Sequence, residues 1–289
     1  MTGQLDRIRE LEKLYSTEEK NNVSEKIVVV TSGKGGTGKT FFAANFAYEF
    51  SKSQKVLLVD VDFNLSNLHL LFNSHPQKTL NTFFESKAIF TEIISSYNSN
   101  LDIIFGDSGL SSLDKPTFNQ INKMFGEINN LSTKYDLIVF DLGAGISDEN
   151  LHILSKAKTK LIITNPEPTA LMDAYVLIKL LKNNDNTDGI YIVVNRCVEE
   201  SEGKQAFQNL NSAVDHFLKV SVNFLNEIPE SNEVRKSIID QKLLAENNQT
   251  NKVITSINHT AAKISKIHQV LNINQPALQS SSISFKNSL

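Results

Sequence analysis

The run Gly33-Lys34-Gly35-Gly36-Thr37-Gly38-Lys39-Thr40 sets two lysines and two threonines among four glycines. It fits the phosphate-binding pattern G-x-x-x-x-G-K-[ST] without a mismatch. Its glycines let the backbone turn so that successive N–H groups form an anion nest. Lys39 is then placed to reach the β- and γ-phosphates of a nucleoside triphosphate, and the Thr40 hydroxyl to ligate Mg²⁺. Three carboxylates could complete such a site. Asp141 follows the apolar run Leu137-Ile138-Val139-Phe140, the pattern in which a carboxylate holds Mg²⁺ directly or through water. Asp60 and Asp62 flank Val61, so on a strand they share one face. Near Mg²⁺ that pairing suggests one structural carboxylate and one that activates water. A strand-end Asp can also simply cap the next turn. Beside a complete phosphate loop that reading recedes for Asp141, while it stays open for Asp60 and Asp62. Lys34 reads either as a solvated loop lysine or as a cation reaching across a two-fold interface to a second copy's nucleotide, as an arginine finger does.

The elements that must position these groups are legible around them. Residues 26–31 are a β-branched run expected of a strand buried on both faces. Residues 40–52 read as the helix whose positive end caps the phosphates. Further strands are expected at 55–62, 101–106, 135–141, 160–166, 189–196 and, more weakly, 222–228, with helices at 168–182 and 201–218. Such alternation predicts an α/β fold, a mostly parallel seven- or eight-stranded sheet with helices on both faces. Ligands then bind at the carboxyl ends of the strands, where every motif named above lies. Gly143 and Gly145, after Asp141, would let backbone approach a γ-phosphate.

At 289 residues, 40% of them hydrophobic, the chain can bury a large α/β core. Residues 1–24 read as an N-terminal partner-binding segment and linker, 25–272 as the nucleotide-binding domain and 273–289 as a Ser- and Asn-rich flexible tail. A net charge of −3 argues against a generally basic nucleic-acid binder. The single Cys197 excludes a disulfide framework and a self-contained cysteine metal site. No stretch reaches the roughly 18 apolar residues of a membrane span, and no apolar signal-peptide core opens the chain. The expected location is cytoplasmic.

Lys34-Gly35-Gly36-Thr37-Gly38-Lys39-Thr40 resembles the deviant phosphate loop of the MinD/ParA superfamily of dimerising ATPases. Val59-Asp60-Val61-Asp62, with Asn67-Leu68, resembles that family's second motif. Thr164-Asn165-Pro166-Glu167-Pro168-Thr169 and Gly106-Asp107-Ser108-Gly109 resemble segments of its flagellar branch, FlhG. The resemblance implies an ATP-dependent homodimer with Mg²⁺, low basal turnover, and control of flagellar number or placement. It implies catalytic roles for Lys34, Lys39 and Asp62, the last as water activator. Mg²⁺ would be held by Thr40, Asp62 and Asp141. The nucleotide would meet Gly33 through Phe41, Asp60, Asn195 with Arg196, and Pro229 with Glu230; Asn195 reads the adenine and Pro229 packs on it. Gln4, Ile8 and Arg9 partly match the FlhG N-terminal motif that engages the GTPase FlhF, and Leu5, Ile8, Leu11 and Leu14 form an apolar helical stripe beside them. Residues 3–15 would then bind an FlhF-like GTPase, with flagellar basal-body proteins as further partners.

The chain departs from the branch at Asn64, usually Gly, and at His69, usually Asp. A basic amphipathic C-terminal helix is also not clear. Ile254, Ile257, Ala261, Ile264, Ile267 and Val270 fit either a core-packed last helix or peripheral binding to the inner face of the membrane. A division-site or DNA-partition ATPase is the alternative function, and a non-hydrolysing nucleotide module is another. An iron–sulfur carrier would need paired cysteines, and a tyrosine kinase relative a tyrosine cluster in residues 251–289, which have none.

Overall fold

The computed structural model describes residues 25–63, 66–107 and 115–273. Gln4, Ile8 and Arg9, with Asn64, Ser108, Gly109 and the tail from 274, lie outside the described residues. The strands are β1 (Ile27–Thr31), β2 (Val56–Val61), β3 (Ile94–Ser96), β4 (Leu101–Ile104), β5 (Leu137–Leu142), β6 (Thr159–Thr164), β7 (Ile190–Cys197) and β8 (Asn223–Pro229). They form one sheet in the order β3-β4-β2-β5-β1-β6-β7-β8. Every pairing is parallel except that of β3 with β4. The antiparallel β3 has three residues, too short to carry a period of its own.

Both faces of the sheet are covered. Val29, Val59, Phe140, Ile162 and Ile192 pack under α4 (Phe118–Asn130), α5 (Asp148–Leu154), α6 (Pro168–Asn183) and α7 (Glu202–Ala213). Their strand neighbours Val28, Val30, Leu58, Val139 and Val193 face α1 (Lys39–Ser51), α2 (Leu68–Leu71), α9 (Leu244–Asn247) and α10 (Lys252–Ile273). This is the period-two alternation of strands sandwiched between helical layers. The short helices α3 (Leu80–Phe84) and α8 (Asn232–Ile239), a 3₁₀ turn at Phe90–Ile93 and a π turn at Val214–Leu218 complete the described fold.

Helix α1 is enclosed on nearly all sides. Phe42 stacks on Phe46, which meets Phe50 edge-on, and Asn45 accepts a hydrogen bond from the Ala245 N–H at 2.9 Å. On its outer side runs α10, whose Val253, Ile254, Ile257, Ala261 and Ile264 are buried in the same core. The apolar stripe of the last helix, from Val253 to Ile264, therefore packs against α1 and β8. Fully burying one such Ile is worth about 1.5–3 kcal/mol. Enclosure on this scale holds the N-terminus of α1, and with it the phosphate loop, in a fixed place.

Candidate nucleotide site

Strand order brings the chemistry together. Because β5 lies between β2 and β1, Asp60 stands directly opposite Asp141, and Asp141 pairs in turn with Val30, one residue before the end of β1. The loop that leaves β1 therefore rises beside both carboxylates. At its far end Gly38 caps α1 in the left-handed region, φ 88°. A Cβ there would also run into Asn195 Nδ2, so this position requires glycine.

Lys39 points down into the site. Its Nζ lies 2.7 Å from Asp141 Oδ1, with side chains 6% and 1% exposed, and 3.2 Å from the Thr40 hydroxyl. Asp141 Oδ2 is buried and finds no hydrogen-bond partner among the described residues. An orphaned oxygen on Asp141 and the Thr40 hydroxyl, both groups reached by Lys39 Nζ, are hard-oxygen donors of the kind that suits Mg²⁺. Phe41 puts its ring in the core, which leaves its backbone N–H, in the first turn of α1, as the group it can offer a phosphate.

The other two aspartates differ in surroundings. Asp60 is 1% exposed and accepts from the Asp62 N–H at 3.0 Å and from the Ser66 hydroxyl. Burial first, then the charge of Asp141, push its carboxyl up to about 7. Asp62 lies one residue beyond β2. Its Oδ1 is 3.1 Å from where a Cβ on Gly143 would sit, so this carboxylate reaches over to the loop after β5. That loop is braced twice: Gly145 N–H donates to Ser32 O at 3.1 Å, and Asn150 Nδ2 donates to the carbonyls of Gly143 and Gly145, each at 3.1 Å.

Lys34 sits at the rim. Its Nζ donates to Glu167 Oε2 at 2.9 Å and to the Thr169 hydroxyl at 3.0 Å, both at the N-terminus of α6. The hydrogen bond and charge of Lys34, with a smaller contribution from Arg196, hold the Glu167 carboxyl below its ordinary value. Asn195 Nδ2 donates to Thr37 O at 2.7 Å, tying β7 to the phosphate loop. Arg196 is exposed with φ 59°. Pro229 pairs with Cys197 in the sheet, and Glu230 N–H donates to Cys197 O at 2.9 Å. The strand ends thus gather Gly33 to Thr40, Asp60, Asp62, Asp141, Asn195 and Pro229 along one edge.

Sequence reading passed over Ser66, Asn150, Glu167 and Thr169 as members of this site. Asn150 had a local signal, since the Ser147 side chain caps α5 by accepting from its N–H at 3.2 Å. Ser66 had none, because its partner is reached through space.

The family model described as "ParA: NUBPL iron-transfer P-loop NTPase" matches residues 22–265. The flagellum site-determining protein YlxH of Helicobacter pylori is 30% identical, over 78% of this chain and 76% of that protein. The antiactivator FleN of Pseudomonas aeruginosa is 28% identical, over 83% and 86%. Among solved structures, the MinC:MinD cell division protein complex of Aquifex aeolicus superposes with a TM-score of 0.70 at 25% identity, covering 83% of this chain and 96% of that one. The chain has no pair of cysteines to carry iron: Cys197 is alone in the sequence, and burial pushes its thiol up to about 12. No helix among the described residues is long and apolar enough to cross a membrane.

Proposed function

The chain belongs to the ParA family of P-loop NTPases, and from that premise we propose an ATP-binding and ATP-hydrolysing dimeric switch that controls flagellar number or placement. The observation that carries this reading is the buried Lys39–Asp141 pair with its orphaned Oδ2. A lysine held 2.7 Å from a carboxylate is pre-set to change partners when phosphate arrives.

Triphosphate oxygens draw Lys39 from Asp141 onto the β- and γ-phosphates, while the loop N–H groups close around them. Thr40, Asp62 and Asp141 would hold Mg²⁺, which when bound would supply positive charge against that developing on the phosphates. Asp62 accepts the proton of the attacking water. Lys34 leaves Glu167 and Thr169 and neutralises charge at the nucleotide of a second copy. Hydrolysis removes the γ-phosphate and lets the dimer part. Asn195 Oδ1 accepts from the adenine amine, and Pro229 packs on the ring beside Arg196 and Glu230. The flagellar output follows the likeness to the flagellum site-determining protein YlxH. Through Gln4, Ile8 and Arg9 an FlhF-like GTPase would be the partner. The likeness to MinD favours, as second reading, a division-site or partition role for the same switch.

The test is Lys34→Ala. The variant should bind labelled ATP like the parent but sediment as a monomer with ATP and Mg²⁺. A normal ATP-dependent dimer in that variant would refute the intermolecular role. Flagellar counts in a deletion strain separate the two outputs, since a partition ATPase would leave them unchanged.

A further inference from the structure

Hydrolysis requires the Asp62 carboxylate to be held still, yet β2 stops at Val61 and Asp62 stands on the turn that follows. Asp60 supplies the brace. Its Oδ1 accepts from the Asp62 N–H at 3.0 Å, and its Oδ2 accepts from the Ser66 hydroxyl. Ser66 is 1% exposed, and its own N–H donates to Asp107 O at 3.2 Å. The loop after β4 thus backs the serine, and it is anchored too. Leu80 N–H donates to Phe105 O at 2.9 Å, and Asn81 Nδ2 donates to Asp107 Oδ2 at 3.2 Å.

Gly106 makes this approach possible. A Cβ at that position would lie 2.9 Å from Ser66 Cβ, 3.1 Å from Ser66 Oγ and 3.3 Å from Asp60 Cγ. Real Cβ atoms essentially never approach as close as the first of these and seldom as close as the others, so a side chain at 106 would shift Ser66 and its hydroxyl off Asp60. Without its donor, Asp60 Oδ2 would be a buried carboxylate oxygen facing Asp141 across the strand pair, free to swing away from the Asp62 N–H.

We infer that Ser66 is a positioning residue for hydrolysis: admitted by Gly106, its hydroxyl fixes the Asp60 carboxylate, which fixes the Asp62 backbone and so aims the Asp62 carboxylate. The inference rests on the ATPase reading above. Ser66 acts through Asp60, so its removal affects turnover more than nucleotide binding.

Steady-state ATP hydrolysis by the full chain tests it, with labelled-ATP binding and thermal midpoints measured alongside. Ser66→Ala and Gly106→Ala should each lower kcat about tenfold with KM and analogue Kd unchanged within about twofold. The double variant should be no worse than the weaker single, because both changes break one clamp. Ser66→Ala adds no atoms, so it reads the clamp even if Gly106→Ala fails to fold. Parental kcat in Ser66→Ala overturns the inference, as do additive losses in the double variant. A lowered midpoint with kcat and KM both intact assigns the serine to stability alone and overturns it as well. Absence of phosphate release by the parent chain would instead defeat the ATPase reading, and the clamp's catalytic role with it.

Discussion

Lys39→Met removes one charge from the centre of the site and keeps most of the side chain's length and apolar volume. In the nucleotide-free chain Lys39 is the cation 2.7 Å from Asp141, and both side chains are almost fully buried. At an effective dielectric near 20, that separation corresponds to a gross attraction of about 6 kcal/mol. Part is offset because a buried ammonium no longer has to be desolvated, so the net loss should be about 3–5 kcal/mol, as for other buried pairs broken on one side. A domain of this size typically has about 5–15 kcal/mol of stability. At roughly 2–4 °C per kcal/mol, the thermal midpoint should fall by about 10 °C. The loss should also depend on pH. The folded Asp60 carboxyl lies above its ordinary 3.8, so its contribution is full below that value and disappears as pH rises through about 7. Lys39 is one of the groups that lower it, so in the variant Asp60 keeps its proton to higher pH. Urea unfolding at about pH 7.5 and about pH 5.5, without nucleotide, should show the variant's deficit narrowing on acidification. Equal stability at the higher pH would refute the reasoning, as would a deficit that widens in acid.

Three further outcomes follow from the same geometry. Asp62→Ala should lower kcat by about 10²-fold or more while ATP-dependent dimers persist, as expected when a general base is removed; phosphate-release kinetics and sedimentation check it. Gly38→Ala should abolish labelled-ATP binding, because its φ of 88° and the Asn195 amide both reject a Cβ; retained affinity would contradict the rigid loop. Ile257→Ala, at a fully buried position of α10, should cost about 2–5 kcal/mol in urea unfolding. A cost near zero would mean that the last helix is only loosely docked.

Sequence alone revealed the layers and the phosphate loop because both are local. The β-branched run at 27–31 and the glycines at 33–38 state their conformations within a few residues. The apolar stripe of α10 was legible as a stripe but not as to what covers it. Period alone does not distinguish a helix lying on α1 from one lying on lipid. The relation of Asp60 to Asp62 was legible only in part. Alternation put both on one face, but β2 ends between them, so one carboxylate turns inward to Ser66 and the other reaches toward Gly143. Ser66 was silent in the sequence, and Gly106 was legible as a family-like loop glycine but not as its neighbour, because their meeting depends on β4 lying beside β2.

The two loop lysines show why residue type did not settle role. Lys39 is enclosed with its carboxylate, and its pairing is strong because water is excluded from it. Lys34 is 29% exposed and its partner Glu167 61% exposed, so solvent and salt screen that pair and hold it weakly. A weak attachment on α6 leaves Lys34 available to a stronger anion, and a triphosphate presented by a second copy is one. Added salt should then loosen Lys34 from Glu167 but also screen it from the incoming phosphate. Dimerisation should therefore fall with ionic strength less steeply in the parent chain, where loosening the Glu167 competitor partly offsets the screened phosphate attraction, than in Glu167→Gln, where only the attraction is screened. Equal salt slopes in the two proteins would mean that Glu167 does not hold Lys34 back.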